Sequence, residues 1–269
     1  GGPLTDAIDD ELRMHSYRAY NRWLADFCAM QPDRLIGAAA VPAESPELAI
    51  NELEAALTMG FRTAYIPLFP PTGSFSEARW DPFWAVAADA EAPLGMHIGS
   101  LRSGPRNFDD AGIYMTQNLM CRLSMAEALG ELILGGVLRR HPDLRIVSVE
   151  AEVGWMSHFL ERIDHIWNRH RHWTNSELTI EPSHYFRKQV SATFTKDPSG
   201  LRELLHIGVD NVMWSNDYPH AESNWPNSKA LTDEWLSGFD ESVKDKVLFK
   251  NAAALYRLSV SPLASASIR

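Results

Sequence analysis

The chain has 269 residues, of which 45% are hydrophobic, and its formal net charge at pH 7 is −10. This length suffices for one sizeable core, and the acidic balance argues against a nucleic-acid or anionic-membrane partner. Cys28 and Cys121 lie far apart without CxxC spacing, which indicates a reducing compartment and a cytoplasmic location. No apolar run reaches the roughly 18 residues of a membrane-spanning helix, and the sequence shows no signal peptide.

Strand-like and helix-like segments alternate along the chain. Apolar residues at helical spacing predict helices at 9–30, 44–59, 80–91, 118–140, 154–170, 198–206, 227–238 and 241–257. Short apolar runs between them predict strands at 34–41, 61–67, 93–98, 145–150, 189–194 and 211–215. Because these runs are apolar throughout, they indicate a parallel sheet covered on both faces.

Two architectures fit this alternation, an α/β barrel and a doubly wound sheet. No GxGxxG fingerprint follows any predicted strand, which disfavours the doubly wound sheet. The connections at 68–76 and 99–115 are long, and both follow the carboxyl end of a strand. In α/β barrels that end of the strands carries the functional residues.

Three residues with metal-binding side chains end predicted strands. His97 ends PLGMHI, Glu150 ends RIVSVE, and Asp217 follows NVMWS. At the mouth of a parallel barrel they would converge, and a histidine with two carboxylates can bind a divalent metal. Each also has a simpler explanation. His97 is equally typical of a buried histidine bonded to a carbonyl, Glu150 of an ion pair with Arg162, and Asp217 of a turn before a proline.

Several stretches carry a resemblance to a known family. They are YNRWLADFCAMQPDRLIGAAAVP, ELEAALTMGFRTAYIP, GMHIG, GGVLRRHPDLRIVSVEAEVGW, MWSNDYPHAESNWP and NAAALYRL, in this order along the chain. The sequence resembles the amidohydrolase-related family, in the branch that includes aminocarboxymuconate-semialdehyde decarboxylase. The resemblance implies a (β/α)₈ TIM barrel with one divalent metal, zinc or alternatively manganese, and it places His97 and Asp217 among the metal ligands.

The sequence departs from the family pattern in three respects. The first two barrel strands have no counterpart, so we expect 1–269 to be one barrel domain holding strands three to eight, the C-terminal part of a longer protein. Glu150 stands where the decarboxylase has histidine. The fourth strand ends Ile66-Pro67, without a lysine to bridge two metals, which favours one metal.

The resemblance leaves three functions open. Hydrolysis by a metal-activated water is favoured, because Glu150 replaces an imidazolium acid, with Asp217 as ligand and base and Glu150 as second base. Non-oxidative decarboxylation of an aromatic or unsaturated acid is the alternative. An inactive fragment or binding module is the third, and its open strand edges would invite pairing with another chain.

The expected partner is a small-molecule substrate, and homo-oligomerisation is left open. Trp155, Arg102 and His220 are the candidate substrate-binding residues. Trp155 could pack on a planar substrate but is equally typical of barrel-mouth core, and Arg102 could bind a carboxylate bidentately. His220 is equally typical of a hydrogen-bonding loop residue.

Overall fold

The computed structural model describes residues 10–99 and 109–258. Its strands are β1 (Ala39–Ala40), β2 (Ala64–Pro67), β3 (Leu94–His97), β4 (Ile146–Val149), β5 (Val190–Phe194) and β6 (Val212–Trp214). All adjacent pairs are parallel, and the strand order is β1-β2-β3-β4-β5-β6. This order follows the chain without the reversal of a doubly wound sheet, so the predicted parallel α/β fold is confirmed.

Twelve α-helices accompany the described strands. They are α1 (Asp10–Ala29), α2 (Pro46–Thr58), α3 (Asp81–Asp89), α4 (Ala111–Leu134), α5 (Val137–Arg140), α6 (Met156–His170), α7 (Pro182–Gln189), α8 (Pro198–Arg202), α9 (Leu204–Ile207), α10 (Ser228–Trp235), α11 (Glu241–Asp245) and α12 (Asn251–Leu255). No helix in these described ranges is long and apolar enough to cross a membrane.

The structure differs from the prediction in the extent of some elements. The first predicted strand shrinks to β1, because the chain turns as Leu35 N–H donates to Gln31 O at 2.8 Å. The predicted helix 118–140 begins earlier, at Ala111, and breaks at Gly136, whose φ of 80° suits glycine. Helix α7 was not predicted.

One hydrophobic core holds the sheet and helices together. It contains buried side chains from every described strand and from α2, α3, α4, α6 and α7. In α4 the first buried residue is Cys121, whereas Ile113, Met115 and Leu119 are exposed. Because α4 begins beyond the carboxyl end of β3, its first half extends past the core on the side where the strands end.

Both outer strands of the described sheet are covered by an asparagine side chain. Ala39 and Val41 donate to the β2 backbone, so Ala40 faces the open edge. There the buried Asn21 amide donates to Ala40 O at 2.9 Å and accepts from Ala40 N–H at 2.8 Å. At the other edge Asn251 donates to Val212 O at 2.8 Å. The edges that the sequence predicted to be open are therefore partly blocked by side chains.

Candidate metal centre

The candidate centre lies where β3, β4 and β6 end. The register pairs His97, the last residue of β3, with Val149, so Glu150 follows directly beyond β4. Nε2 of His97 lies 2.6 Å from Glu150 Oε2, and its Nδ1 contacts Ile98 O. A histidine whose Nδ1 is held by a backbone carbonyl presents Nε2 as its ligand atom.

Asp217 and His220 complete the cluster from the loop after β6. Glu150, Asp217 and His220 each offer a ligand atom, and these atoms lie within 4.8 Å of one another. His220 Nδ1 is 3.2 Å from Asp217 Oδ2 and 3.9 Å from Glu150 Oε1. The structure thus brings together four of the six residues that the sequence proposed for the site.

Glu150 and Asp217 both have left-handed backbone conformations. Their φ angles are 62° and 58°, in a region that is uncommon for residues other than glycine. Thr193 Oγ1 accepts a hydrogen bond from Glu150 N–H at 3.0 Å, and Asp217 O accepts one from His220 N–H at 2.8 Å. Strained backbone held in this way is typical of functional sites.

The charges of the cluster are strongly coupled. Burial alone would lower the pKa of His97, but the hydrogen bond to Glu150 and the charges of Glu150 and Asp217 raise it. Burial alone would raise the pKa of Glu150, but the His97 contact and nearby cations lower it. Burial and the charge of Glu150 raise the pKa of Asp217. Without a metal, His97 and Glu150 therefore form an ion pair beside a carboxyl group whose pKa is raised.

The donor set fits a divalent cation. Asp217 Oδ2 is buried and, among the described residues, has no hydrogen bond of good geometry, although His220 Nδ1 lies 3.2 Å away. A buried carboxylate oxygen without a partner is costly, and a cation bound between Asp217, Glu150 and His97 Nε2 would satisfy it. Carboxylates with imidazole suit manganese and zinc alike.

The loops after β4 and β5 are tied to each other by two carboxylates. Asp197, which follows β5, accepts hydrogen bonds from Val153 N–H at 2.8 Å and from Gly154 N–H at 2.5 Å. In return Glu152, which follows β4, accepts from the backbone N–H groups of Thr195 and Lys196. These reciprocal bonds fix the segment that carries Glu150.

Two of the three predicted substrate-binding residues, His220 and Trp155, lie in the described part of the chain. His220 lies at the rim with 70% of its side chain exposed. Trp155 donates from Nε1 to Ala151 O at 2.9 Å and packs edge-on against Phe159, with ring centroids 5.4 Å apart. These contacts match the alternative of barrel-mouth core. Arg102 lies outside the described residues. The pairing of Glu150 with Arg162 is not found, and Glu150 contacts histidines instead.

Two residues near the centre were missed in the sequence. Tyr65 of β2 packs edge-on against His97, with ring centroids 5.7 Å apart, and burial raises its pKa. Arg122 of α4 forms an ion pair with Glu222, and its charge contributes to lowering the pKa of Glu150. Neither ends a strand, so the pattern that revealed His97 could not reveal them.

The chain is similar to known proteins of one family. The amidohydrolase family model matches residues 5–258. The chain is 28% identical to gamma-resorcylate decarboxylase of Rhodococcus jostii over 288 aligned residues, covering 95% of this chain and 81% of the relative.

Two solved decarboxylases share the fold. The structure of 5-carboxyvanillate decarboxylase from Sphingomonas paucimobilis matches with a TM-score of 0.81 and 22% identity, over 96% of this chain and 77% of that one. A dihydroxybenzoic acid decarboxylase from a Polaromonas species, with bound manganese and the inhibitor 2-nitroresorcinol, matches with a TM-score of 0.76 and 24% identity, over 96% of this chain and 80% of that one.

Proposed function

The chain belongs to the amidohydrolase family, and we propose that it is a metal-dependent decarboxylase of a small aromatic carboxylic acid. The observation that carries the proposal is one cluster where β3, β4 and β6 end, in which His97 Nε2 lies 2.6 Å from Glu150 and ligand atoms of Glu150, Asp217 and His220 lie within 4.8 Å of one another. The sequence favoured hydrolysis. The relatives are decarboxylases. Decarboxylation, which was the alternative to hydrolysis, is therefore our main proposal.

We propose manganese as the metal, held by His97, Asp217 and Glu150. The sequence favoured zinc, with manganese as the alternative, and the donor set suits both. The Polaromonas relative contains manganese, which makes manganese the first ion to test. A bound divalent ion supplies positive charge that binds the substrate carboxylate and polarises it.

The residues of the chain supply the proton chemistry. In decarboxylation the bond between the ring carbon and the carboxylate breaks, its electron pair stays on the ring carbon, and carbon dioxide leaves. That carbon then takes a proton. We assign its delivery to Asp217, which lies beside Glu150 and His220 at the carboxyl ends of the strands. Glu150 stays ionised, as a metal ligand must, and its Oε2 lies 2.6 Å from His97 Nε2, so that both ligand atoms face one site.

The test is a turnover assay with metal and isotope controls. Metal-free protein is reloaded with Mn²⁺ and incubated with 2,6-dihydroxybenzoate and 5-carboxyvanillate, and released carbon dioxide is measured. In deuterium oxide the product should carry deuterium on the carbon that bore the carboxylate. We expect Asp217→Asn to lower kcat by at least about 100-fold, the lower range for loss of a general acid.

Asp233→Asn is the matched control, because Asp233 forms only an exposed ion pair with Lys229 on α10. It should retain activity. Full activity of Asp217→Asn would contradict the assigned proton donor. A chain that binds no Mn²⁺ or Zn²⁺ would contradict the enzyme proposal and support the inactive or binding-module alternative.

Hydrolysis is retained as a second candidate because Glu150 can act as a base for water. The lowered pKa of Glu150 keeps its carboxylate ionised at neutral pH, despite the burial that opposes this, as a general base for water requires. Metal-dependent cleavage of aryl esters or lactones, without release of carbon dioxide from any aromatic acid, would favour this candidate over decarboxylation.

A further inference from the structure

We propose that Arg122 recognises a second carboxylate of the substrate, and that Glu222 occupies Arg122 until this carboxylate binds. The inference deepens the proposed function, on which it rests for the choice of aromatic acids as ligands. It concerns which acids bind and does not require that they react.

The position of Arg122 suits this role. Helix α4 begins beyond the carboxyl end of β3, and Arg122 follows Cys121, the first buried residue of the helix. The arginine therefore stands where α4 passes from the barrel mouth into the core. Its side chain is only 17% exposed and reaches across to Glu222, on the same loop as Asp217.

The charge of Arg122 reaches the candidate centre. Burial tends to raise the pKa of both Glu150 and Glu152, and the positive charge of Arg122 acts against this at both carboxylates. A permanent cation therefore lies close enough to act on both carboxylates that follow β4. An anionic ligand entering this acidic mouth needs such a cation to offset repulsion.

The hydrogen bonds of Arg122 leave room for a ligand. Nη1 donates to Asn118 O at 3.1 Å, and Nη2 donates to Glu222 Oε2. Among the described residues its other N–H groups have no hydrogen-bond partner, and none of its nitrogens is a buried unsatisfied atom. A guanidinium presents five donors in a planar fork, which matches a carboxylate bidentately.

Glu222 is a partner that can be displaced. Its side chain is 51% exposed, whereas that of Arg122 is largely buried. Releasing Glu222 returns a carboxylate to water at little cost, while Arg122 stays neutralised only if another anion replaces Glu222. A ligand carboxylate satisfies this condition, so the exchange favours ligands with a second negative group.

The test measures equilibrium binding rather than turnover. Calorimetric dissociation constants of the Mn²⁺-loaded protein are compared for benzoate and for phthalate, isophthalate and terephthalate, which span three carboxylate separations. We expect at least one dicarboxylate to bind about 10-fold to 100-fold tighter than benzoate, as charge-assisted hydrogen bonds allow. Arg122→Gln should reduce this preference to about twofold or less.

A double-mutant cycle separates recognition from folding. Glu222→Gln should tighten dicarboxylate binding severalfold when Arg122 is present and should have no effect with Arg122→Gln. Arg122→Lys, which keeps the charge, should retain part of the preference. Arg139→Gln is the matched control, because the exposed Arg139 lies on α5, before β4 begins, and it should retain the full preference.

Two outcomes would overturn the inference. One is a wild-type chain that binds every dicarboxylate no tighter than benzoate. The other is a preference that persists in Arg122→Gln or that Glu222→Gln weakens. If the preference is found in a chain that decarboxylates nothing, the recognition role of Arg122 stands and the proposed reaction fails, so the two failures are distinguishable.

Discussion

Replacing Asn21 with alanine tests whether its side chain stabilises the outer edge of β1 by hydrogen-bonding the backbone of Ala40. Asn21 is fully buried on α1. Its amide donates to Ala40 O and to Glu52 Oε1, both at 2.9 Å, and accepts from Ala40 N–H at 2.8 Å. The substitution removes all three bonds at once and provides no replacement partner.

The expected loss of stability follows from the groups left behind. Two backbone groups of Ala40 and one carboxylate oxygen of the buried Glu52 lose a partner, and each such loss costs about 1–3 kcal/mol. Alanine is the better helix former and returns about 0.5 kcal/mol. We therefore expect the free energy of unfolding to fall by about 2.5–8.5 kcal/mol, a large share of the roughly 5–15 kcal/mol that stabilises a typical domain.

The assay is urea unfolding followed by tryptophan fluorescence and circular dichroism, with Asn51→Ala as the matched control. Asn51 lies exposed on α2, so its replacement should change stability by about 0.5 kcal/mol or less. Asn21→Ala should also expose the Ala40 edge, which size-exclusion chromatography would detect as association. A loss below about 1 kcal/mol, or equal to that of Asn51→Ala, would refute the edge-blocking role of Asn21.

Three further predictions concern the metal and the loops. The apparent affinity for Mn²⁺ should fall as the pH drops through the raised pKa of His97, because the ligand must be the neutral imidazole; titration of Mn²⁺ by electron paramagnetic resonance at several pH values measures this. Glu150→Gln should move that midpoint to lower pH, since it removes the carboxylate that raises the pKa of His97, and an unchanged midpoint would contradict the pairing. Asp197→Ala should lower the free energy of unfolding by about 3–9 kcal/mol, because three backbone N–H groups lose their acceptor at about 1–3 kcal/mol each; a change under about 0.5 kcal/mol in urea unfolding would contradict this.

The residues at the strand ends were predictable because a parallel sheet brings them together. The carboxyl ends of parallel strands meet at one edge, so His97, Glu150 and Asp217 had to lie close once their strands were recognised. What they contact was less predictable. The sequence offered an arginine for Glu150, whereas the register sets His97 beside Val149 and so makes His97 the partner.

The features that the sequence did not reveal depend on contacts between distant residues or on short segments without a clear pattern. Arg122 approaches Glu222 across 100 positions, and only the direction of α4 at the barrel mouth sets that approach. Helix α7 was missed because its segment, PSHYFRKQ, is mostly polar and short. The first strand was overextended because the apolar residues of 35–38 lie in irregular backbone between the turn at 32–34 and β1, which periodicity does not separate from a strand.

The paired carboxylate bonds between the loops after β4 and β5 have a consequence for how substrate preference can diverge. A substitution in either loop disturbs both, because Glu152 and Asp197 each bind the backbone of the opposite loop. The loop after β6 is tied to the loop after β5 by one buried bond, from Asn224 Nδ2 to Thr195 O at 2.7 Å, and it carries the exposed Tyr218 and Trp225. New specificities should therefore evolve mainly through the exposed side chains of that third loop, while the first two loops are inherited as a unit with Glu150.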